Sequence, residues 1–233
     1  MSFGSRVGGT FIDPGRTFKA IAERPLWVDV LIVLLILISL YTYLIFPFGQ
    51  KDSLRLMKDN EAKFKDKWGE SRYAGELERI GSQSRSLAAF LVMPLTHLFG
   101  ILFSALIVLG MGRLVSTRGN YLQVFSVLLH ASLVDKLLGN GLRLFLISGG
   151  ESVVQTSTGL PVFLPKLDVL STSYAILSQV DLFQIWMFVL FGMGLAAAFK
   201  ISLKKGLVIS FAFWFLKSAL TVALIMIRNR VIQ

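Results

Sequence analysis

The stretch Tyr121–Ile147, YLQVFSVLLHASLVDKLLGNGLRLFLI, decides the fold because it is long and apolar enough to cross a bilayer and yet carries ionisable side chains. A spanning helix needs about 20 predominantly apolar residues. A charged group at membrane depth costs at least about 2.5–3.5 kcal/mol on insertion scales, so it faces protein or water rather than lipid. Other hydrophobic helices must therefore surround this segment. Its candidate intramembrane polar site consists of His130, Asp135, Lys136, Asn140 and Arg143.

Four more apolar blocks of spanning length occur in the chain, so the sequence predicts an all-α, polytopic helical membrane protein with five transmembrane helices. The composition agrees with this class, because 54% of the 233 residues are hydrophobic and 16% are charged. Soluble domains carry about 25% charged residues. We expect Pro47 to end the first span. The predicted spans lie at about 26–48, 87–112, 121–147, 181–199 and 206–227.

Residues 1–25 are predicted to form a short amphipathic segment ahead of the five-span membrane domain, which occupies residues 26–233. Asp13 suits the N-cap of a helix, and Pro14 suits its first position. The helix is too short to cross a bilayer and is basic on one face, which favours a position in the membrane interface. A cap packed on the helical bundle is the alternative.

The hydrophilic segment 50–86 is predicted to be a helical extramembrane insertion, with a helix, a break at Gly69 and a second helix. Apolar residues recur along the first helix at spacings that place them on one face. That face is a candidate surface for a partner protein, or else the apolar side of a solvated hairpin that packs on the bundle. Its members are Leu54, Met57, Phe64 and Trp68.

The second extramembrane segment, 148–180, is rich in glycine, serine, threonine and proline, which argues against a continuous helix. We expect a small hairpin in residues 152–164 around Thr158 and Gly159, and a turn or short helix at Ser171–Leu177. The segment is apolar enough to lie on the bundle, where it would cover the polar third span.

The last two spans carry residues that predict contacts with the third. Lys217 lies near the middle of the fifth span, and we expect it to join the polar site through an ion pair with Asp135. The pair would either fix the helix register or belong to a conduit for a proton or a lipid headgroup. On a regular helix Lys136, Asn140 and Arg143 share one side, and Asp135 is rotated from them by about 100°.

Small residues in the fourth span predict close packing against a neighbouring helix, because they let two backbones approach. These small residues occupy every second position in the second half of the span. These residues are Gly192, Gly194, Ala196 and Ala198.

The sequence contains none of the motifs of the common enzyme classes, so we predict no catalytic residues, no enzymatic activity and no cofactor. With no cysteine and only two histidines, on different spans, we expect no metal site. The net charge of +10 suits contact with anionic lipid headgroups. Motifs for reading or tracking nucleic acid are missing, so we expect no nucleic-acid partner.

The distribution of lysine and arginine predicts a cytoplasmic N-terminus, and five spans then place the C-terminus outside. The segments on the same side as the N-terminus are 1–25, 113–120 and 200–205, and they carry four, two and three basic residues. On the other side, segment 148–180 carries one basic residue and the C-terminus two. Segment 50–86 opposes this orientation with nine basic residues. The N-terminus has no signal-peptide pattern, so we expect the first apolar block to be retained as a span.

Two stretches resemble the Yip1 domain family of five-span membrane proteins. One is FIDPGRTFKAIAERPLWVD at residues 11–29, and the other is DLFQIWMFVLFGMGLA at residues 181–196. The form is similar to that of bacterial members, which implies a five-span fold in the bacterial cytoplasmic (inner) membrane with a cytoplasmic N-terminus and no defined activity. Eukaryotic members act in vesicle traffic and bind Rab-type GTPases through a long cytosolic N-terminal region, to which the resemblance does not extend.

These observations support two functional hypotheses. The first is a non-enzymatic membrane scaffold or adaptor that binds partner proteins, or further copies of itself, in a protein complex. The second is a subunit of a transport or lipid-handling complex, in which the polar intramembrane site contacts a phospholipid. The lipid bilayer is a partner under both hypotheses.

Overall fold

The fold is built from helices that are numbered here in chain order. The computed structural model describes residues 1–84, 87–150, 152, 153, 156 and 158–232. Five of its helical segments are long and apolar enough to cross a membrane, which confirms the predicted all-α, five-span fold. The spans are α3 (Val28–Asp59), α6 (Leu87–Arg113), a third span made of α7 (Tyr121–Leu133), a π-helical turn (Val134–Gly139) and α8 (Asn140–Gly150), then α10 (Leu182–Phe199) and α11 (Leu203–Ile232). The shorter helices are α1 (Phe3–Ile12), α2 (Pro14–Glu23), α4 (Glu61–Trp68), α5 (Glu70–Ser82) and α9 (Thr172–Leu177).

The third span is the axis of the bundle. Inside the protein, 72% of its most apolar stretch is buried, against 50% for α10 and between 17% and 22% for the other three spans. α7 is covered by α2, α3, α6 and α10. Polar side chains at membrane depth are thereby shielded from lipid.

The fourth span packs against its neighbours through small residues. A Cβ atom added at Gly206 of α11 would lie 2.3 Å from the carbonyl oxygen of Gly192 in α10, so the two backbones touch there. Gly194 faces α7 instead, where an added Cβ atom would lie 2.1 Å from Val127 Cγ1. Ala198, near the end of α10, is buried. α10 therefore joins the fifth span to the third at distances that larger side chains do not permit.

The N-terminal segment forms two helices, α1 and α2, that pack on one end of the bundle. The predicted N-cap is confirmed, since Asp13 Oδ1 accepts a hydrogen bond from the backbone N–H of Arg16 at 3.2 Å. Phe18 and Ile21, on the apolar face of α2, are buried against the bundle, where α7 and α10 contact α2. Protein therefore covers the apolar face of α2, which packs on the bundle as a cap. Its position in the membrane interface stays a prediction.

Polar contacts fix this cap in place. Arg6 of α1 is buried and forms an ion pair with Asp29 at the start of α3, and its Nη1 donates a hydrogen bond to the carbonyl oxygen of Met1 at 3.1 Å. Gln123 Nε2 of α7 donates to the carbonyl oxygen of Ala22 at 2.6 Å, near the end of α2. α1 and α2 are thus tied to two of the spans.

The first span does not end at Pro47, which corrects that prediction. α3 continues through Pro47 to Asp59 and enters the extramembrane insertion. A proline removes one hydrogen bond from a helix, and the turns that follow are held because they pack on α5. Gln50 Nε2 donates to the carbonyl oxygens of Ile80 and Gly81 at 2.6 and 3.2 Å, which satisfies acceptors in the last turn of α5.

The last turns of α3, together with α4 and α5, form a unit with a small core of its own, which we call the extramembrane unit. Met57, Phe64 and Tyr73 are buried in that core, and Trp68 is packed against it. Leu54 is half-buried. The predicted partner surface is therefore wrong for Met57 and Phe64, because both side chains lie inside the unit. Their apolar face packs on α5, not on the membrane bundle.

The junction between α4 and α5 lies at Gly69, as the predicted break requires. Its φ of +80° is a conformation that favours glycine. Lys65 Nζ lies 2.8 Å from Glu61 Oε1 and 3.0 Å from Glu70 Oε1, and so connects the two helices. Hydrogen bonds to Glu61 and then to Glu70 raise the pKa of Lys65 above its usual range.

Segment 148–180 contains a 3-10 turn at Leu160–Phe163 and the short helix α9, which confirms the helix predicted after Ser171. The predicted hairpin in residues 152–164 includes positions 154, 155 and 157, which lie outside the described residues. Within the described part, Gly159 forms an isolated antiparallel bridge with Asp181, the residue that precedes α10.

We predict that Gly206→Ala lowers the free energy of unfolding by about 1–3 kcal/mol, as overpacking does. The added methyl group would lie 2.3 Å from the Gly192 carbonyl oxygen and 2.9 Å from the backbone nitrogen of Ala196, so α10 and α11 must separate. Thermal denaturation in detergent measures the change. The matched control is Gly110→Ala in α6, where an added Cβ atom meets nothing within 4 Å. Equal losses of stability in both variants would contradict the backbone contact.

We predict that Phe64→Ala unfolds the extramembrane unit and leaves the membrane spans folded. Phe64 is one of three buried residues in a small core, and Phe→Ala substitutions in cores cost about 3–5 kcal/mol. Limited proteolysis should then cut within α4 and α5. Lys63→Ala, at an exposed neighbouring position, is expected to leave the unit resistant. A protected Phe64→Ala unit would show that the core does not hold these helices together.

Candidate functional site

Arg143 of α8 is the centre of a group of polar side chains that we call the Arg143 cluster. Its Nη1 donates hydrogen bonds to Asp135 Oδ1 at 2.9 Å and Asn140 Oδ1 at 3.0 Å. Its Nη2 donates to Asp181 Oδ2 at 3.0 Å, and its Nε donates to Thr158 Oγ1 at 2.9 Å. The Thr158 hydroxyl donates to Asp181 in turn. The guanidinium is thus held between two buried carboxylates, one on each side.

The π-helical turn Val134–Gly139 brings Asp135 and Arg143 to the same side of the third span. Eight residues of regular α-helix turn by about 800°, which would leave these side chains about 80° apart. A π turn contains about one residue more than an α turn, so eight residues here make close to two full turns. The predicted rotation of Asp135 away from Arg143 is wrong for this reason.

Asp181 connects the cluster to the fourth span and fixes its level in the membrane. Its Oδ1 accepts hydrogen bonds from the backbone N–H groups of Phe183 and Gln184 at 2.9 and 3.1 Å, so Asp181 is the N-cap of α10. α10 has 18 residues, a length of about 27 Å that matches a hydrocarbon core of about 30 Å. The Arg143 cluster therefore lies at the membrane boundary where α10 begins. We call this the distal boundary, and the one where α10 ends the proximal boundary.

A cavity of about 390 Å³ adjoins the cluster between α6, the third span, α10 and α11, and we call it the lateral cavity. Asp135 belongs to both, because its second carboxylate oxygen pairs with Lys136 Nζ at 2.8 Å. Gln184, in the first turn of α10, lines the cavity near the distal boundary. Polar and apolar side chains both line the cavity. The lining includes Thr96, His97, Ser104, Ser132, Met187, Phe188, Phe213 and Lys217.

Lys217 lines the lateral cavity without the predicted ion pair to Asp135. The carboxylate of Asp135 is engaged by Lys136 and Arg143, at 2.8 and 2.9 Å, and these nearer cations are the reason that the prediction is wrong. Among the described residues Lys217 Nζ forms no ion pair. It lies 6.0 Å from the centroid of the Phe188 ring, in the half of the membrane nearer the distal boundary rather than at mid-depth.

His130 is separated from the Arg143 cluster. Its side chain is fully buried in α7, with Nδ1 2.8 Å from the carbonyl oxygen of Ser126. Nδ1 must carry the proton to make that hydrogen bond, and Nε2 has no hydrogen-bond partner among the residues that the structure describes. His130 therefore does not join the other residues of the predicted polar site. The residues that the structure does bring together are Asp135, Lys136, Asn140 and Arg143, with Lys217 at the adjoining cavity.

Two residues of the cluster escaped the sequence analysis, Asp181 and Thr158. Asp181 could have been predicted from the sequence, because an acidic residue directly before an apolar helix is a good N-cap and also a partner for a cation. Thr158 carries none, since only the fold brings its loop to Arg143. In the described part of the chain, no three histidine, aspartate or glutamate side chains are grouped to hold a metal ion.

We predict that Arg143→Met and Asp181→Asn are strongly coupled in a double-mutant cycle. Each substitution alone leaves a buried charge without its partner, whereas the second substitution then costs less than it does alone. The coupling should reach about 1–3 kcal/mol in unfolding experiments in detergent. A control cycle of Arg143→Met with Asp13→Asn, at the other end of the bundle, is expected to be additive. Additivity in both cycles would contradict a buried ion pair between Arg143 and Asp181.

Comparison with known proteins places this architecture in one family. A family model described as the Yip1 domain matches residues 8–225, a range that includes the Arg143 cluster, the lateral cavity and nearly all of the five spans. No curated protein and no solved structure matches the chain significantly. Because the match covers nearly the whole sequence, the chain belongs to the Yip1 domain family.

Proposed function

We propose that this Yip1-family membrane protein is a non-enzymatic lipid-handling subunit that binds a phospholipid in the lateral cavity. The observation that carries the proposal is the chemistry of the cavity lining. Lys136 and Lys217 supply amines, and Phe188 and Phe213 supply aromatic surface. A phospholipid likewise combines a polar head with apolar chains.

The position of the cavity supports entry from the bilayer. Its walls include α6 and α11, in which only 17% of the most apolar stretch is buried by protein. The exposed faces of these helices contact lipid in a membrane. An acyl chain therefore reaches the cavity sideways, without crossing the polar cluster. A volume of about 390 Å³ lies within the range of ligand sites, about 300–1,000 Å³.

The non-enzymatic part of the proposal rests on how the ionisable groups are used. Asp135, Asp181, Lys136 and Arg143 are engaged with one another in ion pairs. A general acid or base needs a proton-transfer contact with a substrate, and here these contacts are occupied by the partners inside the cluster. We assign the cluster to positioning the spans.

A membrane adaptor for partner proteins, or for further copies of the chain, is the second candidate. It is favoured by the extramembrane unit, which continues from α3 without a break and has its own core. Asp52 Oδ2 accepts hydrogen bonds from Ser152 Oγ at 3.2 Å and from the backbone N–H of Val153 at 2.6 Å, which ties the unit to segment 148–180. Such a fixed projection would present a polar exterior to a partner.

We place the protein in the bacterial cytoplasmic (inner) membrane with the proximal boundary facing the cytoplasm. The basic residues near that boundary support this orientation through the positive-inside rule; they include Arg113, Arg118, Lys200, Lys204 and Lys205. The N-terminus is then cytoplasmic and the C-terminus outside. The distal boundary, with the polar end of the cavity, faces away from the cytoplasm.

We predict that Gly100→Leu lowers the phospholipid retained by the purified protein about tenfold, which corresponds to losing roughly 1.4 kcal/mol of contact. Gly100 lines the lateral cavity, and an added Cβ atom meets nothing within 4 Å. The Cβ atom of a leucine there meets no protein atom, and we expect the rest of its side chain to take up space in the cavity. Native mass spectrometry after purification in mild detergent measures the bound lipid.

The matched control is Gly110→Leu, which adds the same side chain to an open, exposed position of α6. It should retain as much phospholipid as the wild-type protein. The lipid-binding function is contradicted if the wild-type protein retains no phospholipid, or if the two variants retain equal amounts. A reproducible protein partner on a lipid-free core would favour the adaptor instead.

A further inference from the structure

We infer that the lateral cavity selects an anionic phospholipid, in which no cationic headgroup balances the phosphate, and that it takes this lipid from the leaflet at the distal boundary. The inference rests on the proposed lipid-binding function and adds to it the charge of the headgroup and the leaflet. It is carried by the charge balance around the cavity and by the position of Lys217.

The charges next to the cavity leave one cation in excess. Arg143 and Lys136 are matched by Asp135 and Asp181, with contacts of 2.8 to 3.0 Å, so the two positive and two negative formal charges of this group cancel. Lys217 has no carboxylate at ion-pair distance within the described part of the chain. Its side chain is exposed at the cavity rather than covered by protein.

The amine of Lys217 lies inside the distal boundary. Nζ is 6.0 Å from the ring centroid of Phe188. Phe188 comes six residues after Leu182, the first residue of α10, which is about 9 Å along the helix. An uncompensated cation at that depth is unfavourable, so the site calls for an anion.

A phospholipid supplies that anion as its phosphate, together with acyl chains that match the aromatic part of the cavity lining. Its charge pairs with Lys217, while the chains of the same molecule pack on Phe188 and Phe213. A free phosphate ion gains nothing from the aromatic part of the lining. A zwitterionic lipid brings an ammonium group into a site whose unbalanced charge is the positive Lys217, and like charges at short distance repel.

The leaflet follows from the level of the polar lining. Gln184 is in the first turn of α10, and the N-cap Asp181 marks the distal boundary. A headgroup at that boundary reaches Lys217 within the length of its glycerol and phosphate, whereas a headgroup at the proximal boundary is separated from it by most of the bilayer.

The test compares phosphatidylglycerol with phosphatidylcholine of identical acyl chains, titrated onto the full-length protein in detergent and measured by native mass spectrometry. We expect the wild-type protein to prefer phosphatidylglycerol about tenfold, as a charge-assisted contact gives. Lys217→Met should lose this preference and keep its affinity for phosphatidylcholine. Lys217→Arg should retain the preference. Lys204→Met removes a charge from the proximal end of the same helix and should change nothing.

The outcomes separate this inference from the function on which it rests. Equal binding of both lipids by the wild-type protein, or an unchanged preference in Lys217→Met, overturns the inference while lipid binding stands. Absence of both lipids from the wild-type protein overturns the lipid-binding function and the inference with it. Competition by soluble glycerophosphoglycerol at millimolar concentration would show that the site binds a free phosphodiester rather than a lipid, and this too overturns the inference.

Discussion

The positive charge of Arg143 has to be neutralised at the edge of the membrane, and the arrangement of the spans depends on how this is done. The guanidinium takes Asp135 from its own span, Asp181 from the start of α10 and Thr158 from the preceding loop. Its fork of donors can serve several acceptors at once, which a lysine at the same position would not do. One side chain thereby joins the third span, the loop that follows it and the start of α10.

The position of α10 determines where its neighbours pack. Arg143 contacts Asp181 at the start of α10, Gly194 allows the second half of α10 to pack on α7, and Gly192 lets α11 approach closely. α11 packs mainly on α10, while α6 packs on α3 and α7. The lateral cavity lies between α6, the third span, α10 and α11, so the positions of these helices set its shape.

The sequence was sufficient for the features that depend on local chemistry and insufficient for those that depend on neighbours. Span number follows from length and hydropathy, and the Asp13 cap follows from its position before Pro14. The π-helical turn has no signal in the sequence, so the contact between Asp135 and Arg143 was missed. The spacing of the apolar residues around Phe64 predicts a helix face that is covered by another surface, and this is what the structure shows. The spacing does not indicate which element covers that face.

Charged side chains that stabilise the fold can be told apart from a charged side chain that is available to a ligand by whether they have partners inside the protein. A buried ion that serves the structure is matched within the protein, as Arg143 is by two carboxylates, because leaving it unmatched destabilises the folded state. Within the part of the chain that the structure describes, Lys217 has no carboxylate partner; it is exposed at a cavity and lies over an aromatic ring. Under the proposed function, an anion from outside the chain balances its charge. The third span, which carries most of the ionisable groups of the spans, is for this reason the scaffold of the site, and the proposed lipid would lie in the cavity beside it.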